Sequence, residues 1–464
     1  MSFGRSSWNL TRRTLLRRAG ALGAALSIPG LGDLLAPGRA LGAAKRGPGS
    51  LPHPHKPVGT VDESMPFDHI VVVMMENHSF DNLLGALARH GQPRADGLTF
   101  DSAGRATNVN PTGSGIKVTA FPLTSTAQGP DVSQTWDATH EQIDGGRMNG
   151  FVKSVSSDQP MSYYPPSVLP FAYSFARTFT LANRWFCSAP CQTYPNRRFL
   201  MAGTAYGDIA TDTASLEDPP PPNGTIFDQL TAQGISWRNY FTDLPATIVI
   251  PSIVERHFTH LRPIEVFFED CESGSLPAVS FVDPEAGLLA ALGSLIEKLP
   301  VLASIGARLS THGGSEEDPQ NLSYGEAWAY RVVQAVLASP AWPRTLLIYT
   351  YDEHGGYYDH VPPPVAIAPD AIPPKLAPGD TPGGYDMYGV RVPAVVASPY
   401  ARPSSVSDTV HDHTSVLATI EAKWNLPALT YRDANAATVM DFLDPGPPAF
   451  RDPPHLDPPQ SPST

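Results

Sequence analysis

Several features are scarce or missing in this chain of 464 residues, and each absence excludes a class of protein. There are three cysteines, Cys187, Cys191 and Cys271, and no C-x-x-C pair of the kind that binds structural zinc. No apolar run after the N-terminus approaches the roughly 20 residues that a membrane-spanning helix needs. No G-x-S-x-G sequence occurs, which excludes the nucleophile elbow of serine lipases. A disulfide between Cys187 and Cys191 stays open at this point.

Positive charge is also scarce. The 45 Asp and Glu residues outnumber the 32 Lys and Arg residues, and the formal net charge is −13. An acidic body is unsuited to the phosphate backbone of nucleic acid and is attracted only weakly to anionic membranes. The hydrophobic fraction of 41% is nevertheless typical of a folded globular protein. We therefore expect no nucleic acid partner.

The N-terminal segment has the pattern of an export signal. The pair Arg12-Arg13 is followed by the apolar stretch 19–28 and by small residues at 40–43. Paired arginines before an apolar stretch predict export by the twin-arginine route, to the cell envelope or the medium. A basic amphipathic helix is the alternative. We predict four segments, namely a signal peptide at 1–44, a linker at 45–66, a catalytic domain at 67–440 and a disordered Pro-rich tail at 441–464.

Two apolar runs organise the rest of the chain. Residues 70–75 are apolar without a break, which is typical of a strand buried on both faces of a parallel sheet. Residues 345–351 have the same design, and an amphipathic helix is predicted just before them at 324–337. Strand patterns alternate with helix patterns along the chain. The sequence therefore predicts an α/β fold with a largely parallel central sheet flanked by helices.

Polar residues begin abruptly where each of these two strands ends. Glu76 and Asn77 follow the first strand, and Asp352 and Glu353 follow the second. The carboxyl ends of parallel strands meet at one edge of a sheet, which is where ligands bind in α/β folds. Three carboxylates and an amide oxygen at one place would repel one another unless a cation lay between them. The pattern predicts a metal site.

A third polar sequence contains Thr193, Pro195 and Arg197. Proline fits the first turn of a helix, which puts Thr193 at or near the N-cap. A threonine at this position is either a nucleophile or a plain helix cap. Arg197, one turn later, either binds phosphate or anchors the helix to a carboxylate. Both alternatives stay open.

With these motifs assembled, the chain resembles the bacterial phosphoesterase family of phospholipases C and secreted acid phosphatases, in the alkaline-phosphatase-like superfamily. The resemblance extends from about residue 68 to residue 424. It implies an alkaline-phosphatase-like fold and a phosphoric ester hydrolase. Four blocks carry it, at 76–81, 193–197, 276–281 and 352–363.

The resemblance also implies roles for particular residues. One divalent metal ion is expected, with Thr193 as the nucleophile and a fifth metal ligand. His140 matches a histidine that surrounds the phosphate. The other expected metal ligands are Glu76, Asn77, Asp352 and Glu353.

One departure from the family concerns the phosphate site. The histidine-proline pair of the family is replaced by Asp318-Pro319, and His312 is a possible substitute from the same loop. For His360, next to Asp359, the pattern favours a structural role. The residues considered for substrate contacts are Arg197, His312, Asp318, His354 and His360.

The resemblance implies a phospholipase C that hydrolyses phosphatidylcholine-type phosphodiesters through a phosphothreonine intermediate. An acid phosphatase that acts on phosphomonoesters is the alternative, and a catalytically silent surface-binding protein is a third reading. A sulfatase is the nearest rival on this fold but is disfavoured, because the methyl group of Thr193 blocks the aldehyde that sulfatases need. The expected partners are a phospholipid or small phosphoester, the twin-arginine translocase, and a membrane surface only through the substrate.

Overall fold

The computed structural model describes residues 46–129, 132–285 and 314–461. The predicted signal peptide and His312 lie outside the described residues. The strands are β1 (His69–Met75), β2 (Val109–Pro111), β3 (Lys117–Thr119), β4 (Phe121–Pro122), β5 (Ser162–Tyr163), β6 (Thr180–Ala182), β7 (Trp185–Phe186), β8 (Trp237–Phe241), β9 (Leu261–Pro263), β10 (Val279–Asp283), β11 (Thr345–Tyr351), β12 (Ala394–Ala397), β13 (Val406–Ser407) and β14 (His411–Asp412).

The described α-helices vary from one turn to five. They are α1 (Phe80–Leu84), α2 (Trp136–Ile143), α3 (Phe151–Val155), α4 (Pro170–Thr178), α5 (Thr193–Ala202), α6 (Ile226–Ala232), α7 (Pro251–His257), α8 (Ile264–Ser273), α9 (Leu322–Ala338), α10 (Thr414–Trp424) and α11 (Tyr431–Ala434). Short 3-10 helices lie at Leu87–Arg89, Asp144–Gly146, Gln159–Met161, Ser215–Glu217, Ala246–Val249, Phe258–His260, Trp342–Arg344 and Val439–Phe442.

An eight-stranded sheet forms the centre of the described chain, in the order β13-β6-β12-β11-β1-β10-β8-β9. Five of its neighbouring pairs are parallel, and the two pairs that include β12 are antiparallel. Strands β1 and β11 lie side by side near the middle, and nearly all of their side chains are buried. The prediction of an α/β fold with a largely parallel central sheet is confirmed.

The register of the central strands aligns their carboxyl ends. Met75 pairs with Tyr351, so β1 and β11 end at the same level. On the other side of β1, Val73 pairs with Val282, one residue before the end of β10. The residues that follow these three strands therefore lie at one edge of the sheet.

Two helices show how local sequence sets the bounds. Ser79 caps α1, because its hydroxyl accepts from the backbone N–H of Asn82 at 3.1 Å. The sequence predicts a helix at 80–89, but α1 ends at Leu84 and a 3-10 turn follows after Gly85, a poor helix former. Helix α9 is longer than the predicted helix at 324–337 by two residues at the start and one at the end.

The prediction of a disordered tail after residue 441 is wrong for the residues that the structure describes. The ring of Phe450 packs against Phe179, with centroids 4.7 Å apart, and its carbonyl accepts from Trp342 Nε1 at 2.9 Å. Leu456 is fully buried. The Pro-rich composition predicts disorder and does not reveal that these apolar residues pack against the fold. Two further findings concern the whole described chain: its three cysteines are buried free thiols, and none of its helices is long and apolar enough to cross a membrane.

Candidate active site

Four of the predicted ligand residues lie together at the carboxyl edge of the sheet. Glu76 and Asn77 follow β1, and Asp352 and Glu353 follow β11. Because the last residues of these two strands are register partners, the polar residues start at the same level. All four side chains are buried. The structure therefore brings together residues that are about 275 positions apart in the sequence.

Arg197 is the cationic partner of two of these carboxylates. Its Nη2 donates to Glu76 Oε1 at 2.7 Å, and its Nε donates to Asp352 Oδ2 at 3.0 Å. The guanidinium is buried, as are both carboxylates. Of the two roles that the sequence left open for Arg197, the structure shows the anchoring of α5 to carboxylates.

Arg197 offsets only part of the burial and mutual repulsion of the carboxylates at this edge. Burial raises the pKa of Glu76 well above its usual range, Arg197 opposes the rise, and Asp352 adds to it. Burial also raises the pKa of Asp352 to about 6, again against the effect of Arg197. The pKa of Glu353 is raised by burial and by the neighbouring charge of Asp352. More positive charge is needed for all three to be ionised together.

Two buried oxygens at this edge have no hydrogen-bond partner among the described residues. They are Asn77 Oδ1 and Glu353 Oε1. A buried acceptor without a partner costs about 1–3 kcal/mol, so such atoms usually bind something. Carboxylate and amide oxygens are the ligands that Mg²⁺, Ca²⁺ and Mn²⁺ prefer. The residues present therefore fit a divalent cation.

A second acidic cluster is already neutralised by an arginine. Asp81, Asp359 and His360 lie close enough together to hold a metal ion. However, Arg391 Nη2 lies 3.2 Å from Asp81 Oδ1 and 3.1 Å from Asp359 Oδ2. His360 Nδ1 lies 2.7 Å from Asp81 Oδ2. Burial lowers the pKa of His360, but the charges of Asp81 and Asp359 outweigh burial and raise it to about 9. This cluster is an ion-pair network.

Thr193 is the first residue of α5, and the N-cap position belongs to Gln192. The plain N-cap role considered for Thr193 is therefore not what the structure shows. The loop before the helix is fixed by Asn196, whose Nδ2 donates to Cys191 O at 2.8 Å and whose Oδ1 accepts from Ala189 N at 3.1 Å. This loop sets the position at which Thr193 enters the helix.

Thr193 lines a small cleft together with Glu76, Arg197 and Asp283. Thr193 is buried, with 9% of the residue's surface exposed. The N-terminus of α5 contributes partial positive charge at the same place, which favours an anion. The cleft thus combines a hydroxyl, a helix N-terminus and the carboxylates of the sheet edge.

Two histidines support the end of β11. Trp185 Nε1 can only donate, so Nδ1 of His413 accepts from it at 3.4 Å and Nε2 donates to Asp352 O at 2.7 Å. Burial lowers the pKa of His413 to about 4, so the ring is neutral near pH 7. His354 Nε2 lies 2.7 Å from Gln142 Oε1, which ties this edge to α2. For both histidines the structure shows supporting contacts.

His140 lies on α2, beside a different cleft. Its Nδ1 lies 2.7 Å from Trp136 O, and its ring packs on the Trp136 ring with centroids 4.3 Å apart. The lining of this cleft includes Ser133 and Thr381, and it shares no residue with the lining of the Thr193 cleft. The structure does not bring His140 into contact with Thr193 among the described residues, and its catalytic role stays a prediction.

The loop that departs from the family lies beside Asn77. Asp318 accepts from the Tyr357 hydroxyl at 2.8 Å and 2.7 Å. Together with Asn77, Glu317 and Gly355, it lines a small cleft. Where the family has a histidine, this chain therefore presents carboxylates. The proposed substitute, His312, lies outside the described residues.

Sequence reasoning missed two acidic residues of the site, Asp283 and Glu317. Asp283 is the last residue of β10, so the rule that ligands gather at the carboxyl edge could have found it. Burial raises the pKa of Asp283, and the charge of nearby Arg197 opposes the rise. Glu317 is in an irregular loop, and no sequence pattern indicated its contact with Asn77.

The family model and the curated relatives agree on one family. The Phosphoesterase family model matches residues 67–427. Non-specific phospholipase C1 of Arabidopsis thaliana is 31% identical over 434 residues, which cover 88% of this chain and 74% of that protein. The non-hemolytic phospholipase C of Pseudomonas aeruginosa is 27% identical over 412 residues, covering 77% of this chain and 54% of that protein. A solved structure in the alkaline phosphatase superfamily, from Vibrio parahaemolyticus, aligns over 79% of each chain with a TM-score of 0.31 and 11% identity.

Proposed function

The chain belongs to the phosphoesterase family and is a phosphoric ester hydrolase, and from this premise we propose that it is a phospholipase C. The proposed reaction converts phosphatidylcholine-type phosphodiesters into diacylglycerol and a phosphorylated head group. The observation that carries the proposal is the position of Thr193, at the N-terminus of α5 and in one cleft with Glu76 and Arg197. The names of the relatives from Arabidopsis thaliana and Pseudomonas aeruginosa support a phospholipid substrate.

We propose that one divalent metal ion is held by the oxygen ligands of the sheet edge and by the threonine. When bound, such an ion supplies positive charge that stabilises an alkoxide and neutralises phosphate. Arg197 holds two of the carboxylates in place through its fork of hydrogen bonds. The proposed ligands are Glu76, Asn77, Thr193, Asp352 and Glu353.

Thr193 is the proposed nucleophile. Its Oγ1 loses its proton to solvent and attacks phosphorus, and the bond between phosphorus and the diacylglycerol oxygen breaks as the Thr193–phosphate bond forms. The leaving oxygen takes a proton from solvent; His140, the donor that the resemblance implies, lines a different cleft from Thr193. Water then attacks the phosphothreonine, releases the phosphorylated head group and restores the hydroxyl. The N-terminus of α5 stabilises the negative phosphate oxygens throughout.

The assay that tests this proposal compares two substrates with and without a chelator. We expect purified protein to hydrolyse phosphatidylcholine vesicles faster than p-nitrophenyl phosphate, and a chelator to abolish both activities. Glu76→Gln should lower bound metal and activity together, because it removes an anionic ligand. Faster hydrolysis of the phosphomonoester would favour the acid phosphatase instead. Protein that hydrolyses neither substrate would favour the silent surface-binding protein.

We further propose that the protein is exported by the twin-arginine route to the cell envelope or the medium. The support is the pair Arg12-Arg13 with the apolar stretch that follows it. This translocase is then a partner during export. Contact with a membrane surface is proposed only through the bound phospholipid, because the chain is acidic.

A further inference from the structure

The side-chain amide of Asn77 has one end bonded and the other end without a partner in the described chain. Its Nδ2 donates to Glu317 Oε1 at 3.2 Å, whereas its buried Oδ1 has no hydrogen bond. Because Glu317 Oε1 is the acceptor of this hydrogen bond, the NH₂ end of the amide faces Glu317. The oxygen end is consequently turned away from Glu317 and remains available as a ligand.

The residue before Glu317 is held firmly by its surroundings. The carbonyl of Glu316 accepts from Gln128 Nε2 at 2.6 Å and lies 3.0 Å from His78 Nε2. Its carboxylate accepts from the Tyr351 hydroxyl at 2.6 Å. All of these groups are buried or half-buried, so the chain has little freedom on this side of Glu317.

The residue after Glu317 is held as well. Asp318 accepts from the Tyr357 hydroxyl through both carboxylate oxygens. The Tyr357 ring stacks on His78, with centroids 5.0 Å apart and an interplanar angle of 27°. Glu317 is thus presented to Asn77 by a loop that is fixed on both flanks. A rigid support of this kind is what an orienting residue requires.

We propose that Glu317 is a positioning residue of the cation site, which orients the Asn77 amide so that its oxygen faces the cation. The inference rests on the proposed function, because Asn77 is one of the proposed ligands. Outer partners that orient metal ligands typically contribute 10- to 100-fold to metal affinity. Glu317 therefore has a role in the site, although its loop lacks the family's histidine.

The test measures metal affinity rather than activity. Ca²⁺ and Mn²⁺ are titrated separately into chelator-treated full-length protein by calorimetry, and the ion that the wild type binds more tightly is used. Glu317→Leu removes the acceptor, so the Asn77 amide can turn, and we expect Kd to rise about 10- to 100-fold. Glu317→Gln loses the charge but keeps an acceptor oxygen, and we expect a rise of less than about 10-fold.

The melting temperature of each metal-free protein separates positioning from folding. Glu317 adds negative charge near Glu76 and Glu353, so its removal should not destabilise the metal-free protein. Glu255→Gln, at an exposed residue, is the matched control for loss of charge and should leave Kd unchanged.

Each other outcome contradicts the inference in a recognisable way. Leu and Gln variants that lose affinity equally would show that only the charge of Glu317 matters. A Leu variant that is unfolded or strongly destabilised without metal would make Glu317 a structural residue. Wild-type affinity in the Leu variant would refute the inference alone, whereas a wild type that binds neither ion would refute the proposed cation site with it.

Discussion

Among the single residues of the site, Arg197 supplies the buried positive charge that offsets the carboxylates. It is the buried guanidinium that bridges Glu76 and Asp352, which come from two different strands. A planar guanidinium can satisfy two carboxylates at fixed geometry, which lysine cannot do. The same contacts attach α5, and therefore Thr193, to the edge of the sheet.

We expect Arg197→Met to destabilise the metal-free protein by about 3–5 kcal/mol, because it leaves two buried carboxylates without their cation. Urea denaturation gives the free energy of unfolding. Arg256→Met is the matched control, because Arg256 pairs with Asp228 on the surface and its side chain is 46% exposed. That change should cost about 1 kcal/mol or less. Equal losses in the two variants would contradict the role given to Arg197.

At the scale of elements, the sequence predicted the strands that build the site. The mainly apolar, β-branched and aromatic runs that form β1 and β11 favour buried strands, and the structure gives β11 the predicted bounds, Thr345–Tyr351. The meeting of Glu76 and Asp352 follows from two parallel strands that end in register. Short elements such as β9 and β13 were not predicted, because two or three residues carry no periodicity.

The sequence did not predict which individual side chains contact one another. Arg197 contacts Asp352 across 155 positions, and Glu317 contacts Asn77 across 240. Such pairs depend on how loops pack after the sheet has formed, and no local pattern encodes them. The sequence could therefore indicate which residues approach the site, but not which of them support the others.

The network of Asp81, Asp359, His360 and Arg391 joins three separate parts of the fold. Asp81 is in α1, Asp359 and His360 follow β11, and Arg391 precedes β12. Every member is buried except His360, whose side chain is 23% exposed. Because the carboxylates of Asp81, Asp96 and Asp359 lie near His360, the folded protein holds the proton of this ring more tightly than the unfolded chain does.

This network predicts a pH dependence of stability. The pKa of His360 is raised from 6.5 to about 9, so its stabilising effect is fully present below pH 6.5 and is lost as the pH rises through 9. We expect His360→Gln to be less stable than the wild type at pH 5.5 by up to about 3 kcal/mol, and nearly equal at pH 10. Urea denaturation at both pH values measures the difference. A difference that does not change with pH would contradict the prediction.

At the scale of the whole molecule, the chain after residue 441 is part of the described fold. Phe450 and Leu456 bury apolar side chains against the body, and Arg177 pairs with Asp457. Proline-rich composition predicts disorder only when no apolar anchors are present. A few spaced hydrophobic residues are enough to hold such a segment, which composition alone does not reveal.

Export is the prediction that concerns the chain as a whole. Arg12 and Arg13 changed together to Lys should leave the precursor in the cytoplasm, because the twin-arginine translocase reads the arginine pair. Immunoblots of cell fractions measure the distribution, and the wild-type chain in a strain without this translocase is the matched control. Undiminished export in that strain would contradict the proposed route.

The proposed role of Thr193 as the covalent nucleophile is tested by comparing the turnover of two variants with that of the wild type. Thr193→Val keeps the shape of the side chain but removes the hydroxyl, whereas Thr193→Ser keeps the hydroxyl and removes the methyl group. Turnover of phosphatidylcholine is measured for both variants and the wild type at saturating metal. Melting temperature and bound metal show whether each variant is folded and loaded.

We expect the Val variant to fold and to lose turnover by roughly 10³-fold or more, as is typical when a covalent nucleophile is removed. The Ser variant should retain much of the activity, because its hydroxyl enters α5 at the same position beside Glu76 and Arg197. A Val variant that folds, binds metal and hydrolyses phosphatidylcholine at the wild-type rate would contradict the phosphothreonine mechanism.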